Sequence, residues 1–462
     1  MTLRVGQSPT ETRTGFPPQI KYIVGNEACE RFSFYGMRAI LVVFMMRSLQ
    51  MAAPEAKAIY HDFVMACYFF PLLGGYLSDR FLGKYRTILW LSIVYCIGHA
   101  VLAIFETKHG LYVGLALIAL GSGGIKPCVS AHVGDQFGPH NRHLLEKVYE
   151  IFYFSINFGS FFSTMLTPWL LNKYGPSVAF GVPGVLMGIA TLLFWMGRKQ
   201  YVIVPPTGAE NSAKFWGVLF YSLTHQEDRG PGKGFFDVAL KKYGAERIEG
   251  AKAVVDVFKV LIAISAFWAL YDQHGSSWIV QATQMDRNVL GIQFDAAQIA
   301  ALNPVMVMVL IPLFRFGIYP FVEKGLKIPL TPLRKMGVGM FLTGASFVIV
   351  GILQSLIDRG QNISVAWQIV PYLVITTAEI LVSIVGLEFA YTQAPKAMKS
   401  TIMSLFLLTV AVGNFFTARV SALNPFKGAS EFYFYAAMMF VVSFVFIALA
   451  TRYRYRNYVA QV

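Results

Sequence analysis

Glu27, Glu30, Arg31 and Arg38 place two carboxylates and two guanidiniums inside a run of residues otherwise apolar enough to cross a bilayer. Each charge at mid-membrane costs about 2.5–3.5 kcal/mol on insertion scales, so such groups face a watery cavity and mark an ion or substrate path. On a helix Glu27 and Arg31 stand four apart with the acid first, the better order for an ion pair, and Glu30 lies beside them. Tyr35 and Arg38 extend the same stripe by two turns. The plainer alternative is a structural salt bridge that satisfies only itself.

The elements that must hold these charges are membrane helices. The chain has 462 residues, 55% hydrophobic and only 14% charged, with a mean hydropathy of +0.53, which excludes a soluble protein of this length. Twelve apolar runs are long enough to span: Ile20–Ser48, Glu55–Ser78, Tyr85–Phe105, Leu111–Val133, Leu145–Tyr174 and Val178–Met196, then Val254–Val280, Ala296–Val322, Leu333–Ile357, Val365–Tyr391, Ser400–Leu423 and Glu431–Thr451. The first run carries charges and no small-residue cleavage site, so it is expected to remain in the mature protein rather than act as a signal peptide.

The net charge of +14 is spread over alternate connections, which argues against a nucleic-acid patch. Arg80, Lys84 and Arg86 follow the second run, Arg142 and Lys147 the fourth, Lys324, Lys327, Arg334 and Lys335 the eighth, and Arg452, Arg454 and Arg456 the twelfth. The positive-inside rule then puts both termini in the cytoplasm, with tails at residues 1–19 and 453–462. Cys29, Cys67, Cys96 and Cys128 fall inside spans without metal-ligand spacing and are expected as buried free thiols.

Between the sixth and seventh runs the composition changes: residues 199–253 hold Pro205-Pro206, Gly230-Pro231-Gly232 and many charges, and nothing long enough to cross. This reads as a cytoplasmic linker, with helical patterning over Phe235–Tyr243 and Ala245–Val255. It divides the spans into an N-terminal bundle, 20–198, and a C-terminal bundle, 254–452, the arrangement of two halves that rock about a central site.

The connection Gly74-Gly75-Tyr-Leu-Ser-Asp79-Arg80-Phe-Leu-Gly83-Lys84-Tyr-Arg86 resembles the major facilitator signature, in which an Asp and basic residues latch neighbouring helix ends. Glu27-x-x-Glu30-Arg31-Phe-x-Phe-Tyr35-Gly36 resembles the hallmark of proton-dependent oligopeptide transporters, a family of that superfamily. Gly121-Ser-Gly-Gly-Ile-Lys126-Pro127 is similar to its fourth-helix lysine motif and Phe267-Trp268-Ala-Leu-Tyr271-Asp272-Gln273 to its seventh helix. The stretch Tyr149 to Phe161 resembles the fifth, departing at Phe158, where a smaller residue is usual. Ser383 is followed by Ile384 where a proline is common, and His61 and Asp272 look closer to animal members than to many bacterial ones.

The resemblance implies an all-α major facilitator fold and a proton-coupled importer of di- and tripeptides. A peptide is a zwitterion, so its pocket needs two opposite poles and roomy walls. The first half offers Arg38 and Lys126 for the carboxylate; the second offers Glu379 for the ammonium. Asn157 and Asn303 can donate and accept to backbone amides. The resemblance supports these positions, adds Tyr35, Tyr68 and Trp268 as pocket walls with Ser383 beside them, and puts Asp79 and Arg80 in the latch. For proton coupling the candidates are Glu27, Glu30, Arg31, His61, Asp272, Glu379 and Lys126. We expect His61 to pair with Asp272 across the halves, and the acids near Arg31 to exchange partners with Lys126. No cofactor or metal beyond the coupling protons is implied, and a functional monomer in the plasma membrane is expected.

Two other classes compete. An embedded enzyme would need a nucleophile and base or a metal array, and His99, His109, His132, His140 and His143 are scattered without one. A channel fits a six-plus-six layout with paired internal charges less well than a carrier does. Among carriers, relatives with this first-helix pattern also move nitrate and other small anions or metabolites; keeping both Lys126 and Glu379 favours a zwitterion.

Overall fold

A computed structural model describes residues 15–138, 140–206, 214–228, 234–395 and 398–456. The expected tails lie largely outside these residues. The first half contains α1 (Ile20–Arg47), α2 (Ala53–Leu77), α3 (Gly83–Ile104), α4 (Lys108–Asp135), α5 (Leu145–Tyr174) and α6 (Pro176–Met196). The linker contributes α7 (Lys214–Thr224). The second half contains α8 (Ala245–Leu261), α9 (Ile264–Tyr271), α10 (Ser277–Ala282), α11 (Leu302–Leu313), α12 (Pro332–Asp358), α13 (Ile369–Glu379), α14 (Val385–Thr392), α15 (Lys399–Leu423) and α16 (Ala429–Arg452).

Eight of the described helical runs are long and apolar enough to cross a membrane, or nine if Ala245–Leu261 and Ile264–Ala282, bent by 44°, form one span. The run Ala53–Ile104, 52 residues, would be about 78 Å long if straight, against a hydrocarbon core of about 30 Å. It is two helices, α2 and α3, joined by a π turn at Ser78–Leu82 and broken at Gly83, where φ is +72°. α1 with its charges and α5 with its internal Ser, Asn and Thr residues are long enough to span but more polar. With these passes counted singly, the described chain makes the twelve long passes expected.

Two large hydrophobic cores form, beside two smaller clusters. One draws on residues from Ile20 to Tyr201 and the other on residues from Phe215 to Phe446. Small residues set the closest helix contacts within each: a Cβ added at Gly74 would stand 2.2 Å from the Gly124 carbonyl oxygen, and one at Gly413 2.3 Å from that of Ser265. Such residues let backbones approach where lipid supplies no hydrophobic drive between helices.

The seventh pass begins at Ala245, well before Val254. Ile248, Ala251, Val254, Val257 and Leu261 are buried along one stripe of α8, so packing carries the helix through the polar residues of its outer face. Phe235–Tyr243 is a 3₁₀ turn at Asp237–Ala239 and one α turn at Leu240–Tyr243, ended by Gly244 at φ +78°. α7 lacks a counterpart in the sequence reading; Phe215, Val218 and Ser222 form its buried side. The missing proline after Ser383 is matched by another irregularity, a π turn at Ile380–Ile384 between α13 and α14.

Candidate functional site

In α1 the charges meet as their spacing requires. Arg31 Nε donates to Glu27 Oε1 at 2.7 Å and lies 3.2 Å from Glu30 Oε2. Glu27 and Glu30 are both buried. Lys126 of α4 does not join them directly: among the described residues its Nζ is buried without a hydrogen-bond partner, 4.2 Å from the Tyr68 ring centroid and 4.7 Å from that of Phe34. An ammonium on aromatic faces is held weakly enough to accept a better anion. The helix repeat puts Lys126 on the face of α4 that meets α1 and α2, and Gly123 and Gly124 let α2 come close beside it.

The opposite pole lies in the second half. Asn303 Nδ2 donates to Glu379 Oε2 at 2.8 Å and to Thr376 Oγ1 at 3.1 Å, while the Tyr271 hydroxyl reaches Asn303 Oδ1 at 3.4 Å. The π turn that follows Glu379 keeps Ser383 half-buried one turn farther along. Trp268 is buried, its indole N–H without a hydrogen-bond partner among the described residues, and edge-on to Tyr271 at 5.6 Å between centroids. Tyr35 links the poles, lying within electrostatic reach of Arg31, Arg38 and Glu30 in its own half and of Glu379 in the other. Tyr153, one turn before Asn157 on α5, is in reach of both Glu379 and Tyr35. Asn157 itself donates to the Tyr153 carbonyl of its own helix at 2.9 Å.

The two halves are joined at the end where α1 finishes and α2 begins. Arg38 Nη2 donates to Asp272 Oδ1 at 2.5 Å, and Arg38 Nε to the Tyr60 hydroxyl at 2.6 Å. His61 does not pair with Asp272 directly, because Arg38 takes that carboxylate. Its Nδ1 lies 2.7 Å from Asn414 Oδ1 and its Nε2 2.8 Å from Ser276 Oγ, and Asn414 Nδ2 donates onward to Asp272 Oδ2 at 2.7 Å. Asn414 is therefore the bridge between the expected partners. Nearer the surface Lys57 meets Glu431 at 2.6 Å, Arg419 meets Asp62, and Asn172 meets Asp295. Among the described residues, all hydrogen bonds and ion pairs between the halves lie toward this end.

At the opposite, linker end the bonds stay within one half. Asp79 and Arg80 are exposed, Arg80 stacking on Tyr76 and Phe81, and Lys84 pairs with Asp135 at 2.6 Å, tying the start of α3 to the end of α4. All four cysteines are free, with Cys67 and Cys128 buried and Cys29 and Cys96 half-buried. The residues missed from sequence are Asn414, Tyr60, Ser276, Lys57 and Glu431. Asn414 was the most findable, as an amide inside the apolar run of α15.

Two helical bundles, opposed charges between them and bonds confined to one end define a multi-pass membrane transporter of the major facilitator type. The chain belongs to the POT family: the model of that family, PTR2, matches residues 85–425. Solute carrier family 15 member 2 of Homo sapiens is 38% identical over 372 residues, 76% of this chain and 51% of the relative. The Danio rerio protein of the same name is 42% identical over 361 residues, 74% and 50%. The chain thus spans about half the length of the curated relatives it matches. The crystallised POT family transporter PepTSo is 40% identical with a TM-score of 0.88, covering 97% of this chain and 99% of that one. A mutant peptide transporter POT in complex with alafosfalin is 25% identical with a TM-score of 0.80, covering 96% of each chain.

Proposed function

We propose that this protein is a proton-coupled symporter that imports di- and tripeptides by alternating access. The observation that carries the reading is the arrangement of poles: a Lys126 with no hydrogen-bond partner among the described residues in one half, Glu379 held by Asn303 in the other, and Tyr35 within electrostatic reach of Glu379. A peptide carboxylate fits Lys126, its ammonium fits Glu379, and Asn157 and Asn303 have amide groups for the backbone between. Tyr68 and Trp268 form walls, with Ser383 at the edge. The relatives whose names make them peptide transporters, and the peptide transporter POT solved with alafosfalin, support this substrate class.

The functional units are an N-terminal bundle, 20–198, a linker, and a C-terminal bundle extending to 452, rocking as two bodies. Basic residues at the linker end, among them Lys84, Lys324 and Arg334, support a plasma-membrane carrier with that end and both termini on the cytoplasmic side. In this state the outer end is closed by Arg38 and Asp272 and by His61 and Asn414. A proton on Asp272 weakens its hold on Arg38, and a charge gained by His61 reorients the amide of Asn414 that holds the same carboxylate. Proton exchange at Glu27 and Glu30 changes the field on Lys126. Inward proton flow supplies up to about 2.3 kcal/mol per charge per 100 mV, and the carrier works as a monomer.

The test is uptake of labelled dialanine into proteoliposomes with an imposed inward proton gradient, competed by tripeptide and by nitrate. We expect accumulation that collapses with the gradient and yields to tripeptide. Competition by nitrate alone would assign the site to a small anion instead.

A further inference from the structure

A second pair of opposite charges stands in the wall of a cavity at the closed end, away from the central poles. Lys57 of α2 and Glu431 of α16 meet at 2.6 and 2.7 Å, and Ser277 of α10 donates to the same Glu431 oxygen at 3.3 Å. Their side chains are 8% and 15% exposed, so water screens them little. Both line a cavity of about 290 Å³ that also touches Ala53, Gln281 and Gln354. That is the low end of the size range of small-molecule sites, suited to a solute of dipeptide size.

The cavity is built before any ligand arrives. Gln281 Nε2 donates to Gln354 Oε1 at 3.0 Å, and Gln354 Nε2 to Gln284 at 3.2 Å and Asp358 at 2.9 Å. Asp358 also accepts the backbone N–H of Ala429 at 2.8 Å, which pins the rim. Gly428 is needed there: its φ is +56°, and a Cβ would stand 2.3 Å from Asp358 Oδ2. Within this fixed floor and rim, the Lys57–Glu431 contact is the part that crosses between the two halves.

The geometry points to a vestibular site for a small zwitterion, which puts its carboxylate on Lys57 and its ammonium on Glu431 and so takes apart an ion pair that closes the outer end. A simple anion would satisfy Lys57 and strand Glu431 as a poorly solvated charge, and a cation would do the reverse. A zwitterion replaces both partners at once. Because the two side chains separate when the halves part, the solute meets less competition in the open form and shifts the population toward it. This deepens the alternating-access reading, and it would let the transported class of solute unlatch its own gate.

The test uses Ala53→Cys at the cavity rim as a reporter in a Lys126→Ala background, with dialanine as the probe and an impermeant maleimide as the reagent. Dialanine slows modification several-fold, dialanine blocked at both termini does not, and the protection vanishes in Lys57→Gln but survives in Lys57→Arg. Modification at the same rate with and without dialanine, or protection that persists in Lys57→Gln, overturns the proposal. Dialanine uptake by Ala53→Cys with Lys126 intact separates the two readings: uptake without protection rejects the vestibule alone, whereas absent uptake rejects the transport reading.

Discussion

The two ends of the molecule hold their charges differently. At the closed end, partners lie in different halves: Arg38 with Asp272, His61 with Asn414, Lys57 with Glu431 and Arg419 with Asp62. At the linker end Lys84 and Asp135 belong to one half, as do Arg456 and Asp256 in the other. Bonds inside a half travel with it as it moves, and bonds between halves break. This conformation is thus held by the charges of the closed end, while the linker end is free to part without losing a salt bridge among the described residues.

Depth grades the charges of the closed end. Asp272 is 3% exposed, and its removal leaves Arg38 buried with only the Tyr60 hydroxyl. Breaking such a buried pair costs about 3–5 kcal/mol. Asp272→Ala should therefore depopulate the closed end, seen as longer spin-label distances across it. Unchanged distances would transfer the closure to the apolar cluster of Val43, Ile279, Ala282 and Met285 at the same end.

The rim pair sharpens the comparison from the weak side. Arg419 and Asp62 are 49% and 38% exposed, where such pairs contribute about 0.2–1 kcal/mol and are screened by salt. Asp62→Asn should shift the same distances slightly at low ionic strength and not at all in high salt. A shift as large as that of Asp272→Ala would show that depth does not rank these contacts.

Much of this was legible in the sequence, because membrane spans announce themselves by length and apolarity and α1 keeps its ion pair within one helical turn. Glu27 and Arg31 meet at the spacing that predicted them. The long-range pairs were not legible. Arg38 and Asp272 are 234 positions apart, and nothing local told Arg38 to choose Asp272 over the peptide carboxylate assigned to it. His61 was directed to the right neighbourhood but not to Asn414, since an amide can donate to one group and accept from another and so be inserted between the two expected partners. The start of α8 was hidden for the opposite reason: its exposed face is as charged as a loop, and only the buried stripe from Ile248 onward shows a helix.

The central claim is that buried charges in both halves couple proton movement to a zwitterion, with the ammonium of Lys126, which has no hydrogen-bond partner among the described residues, as the shared element. The most direct measurement is gradient-driven accumulation of labelled dialanine by Lys126→Ala in proteoliposomes, beside the parent protein at equal reconstitution. The account predicts that accumulation is abolished. Accumulation equal to that of the parent protein would contradict it and remove Lys126 from the mechanism.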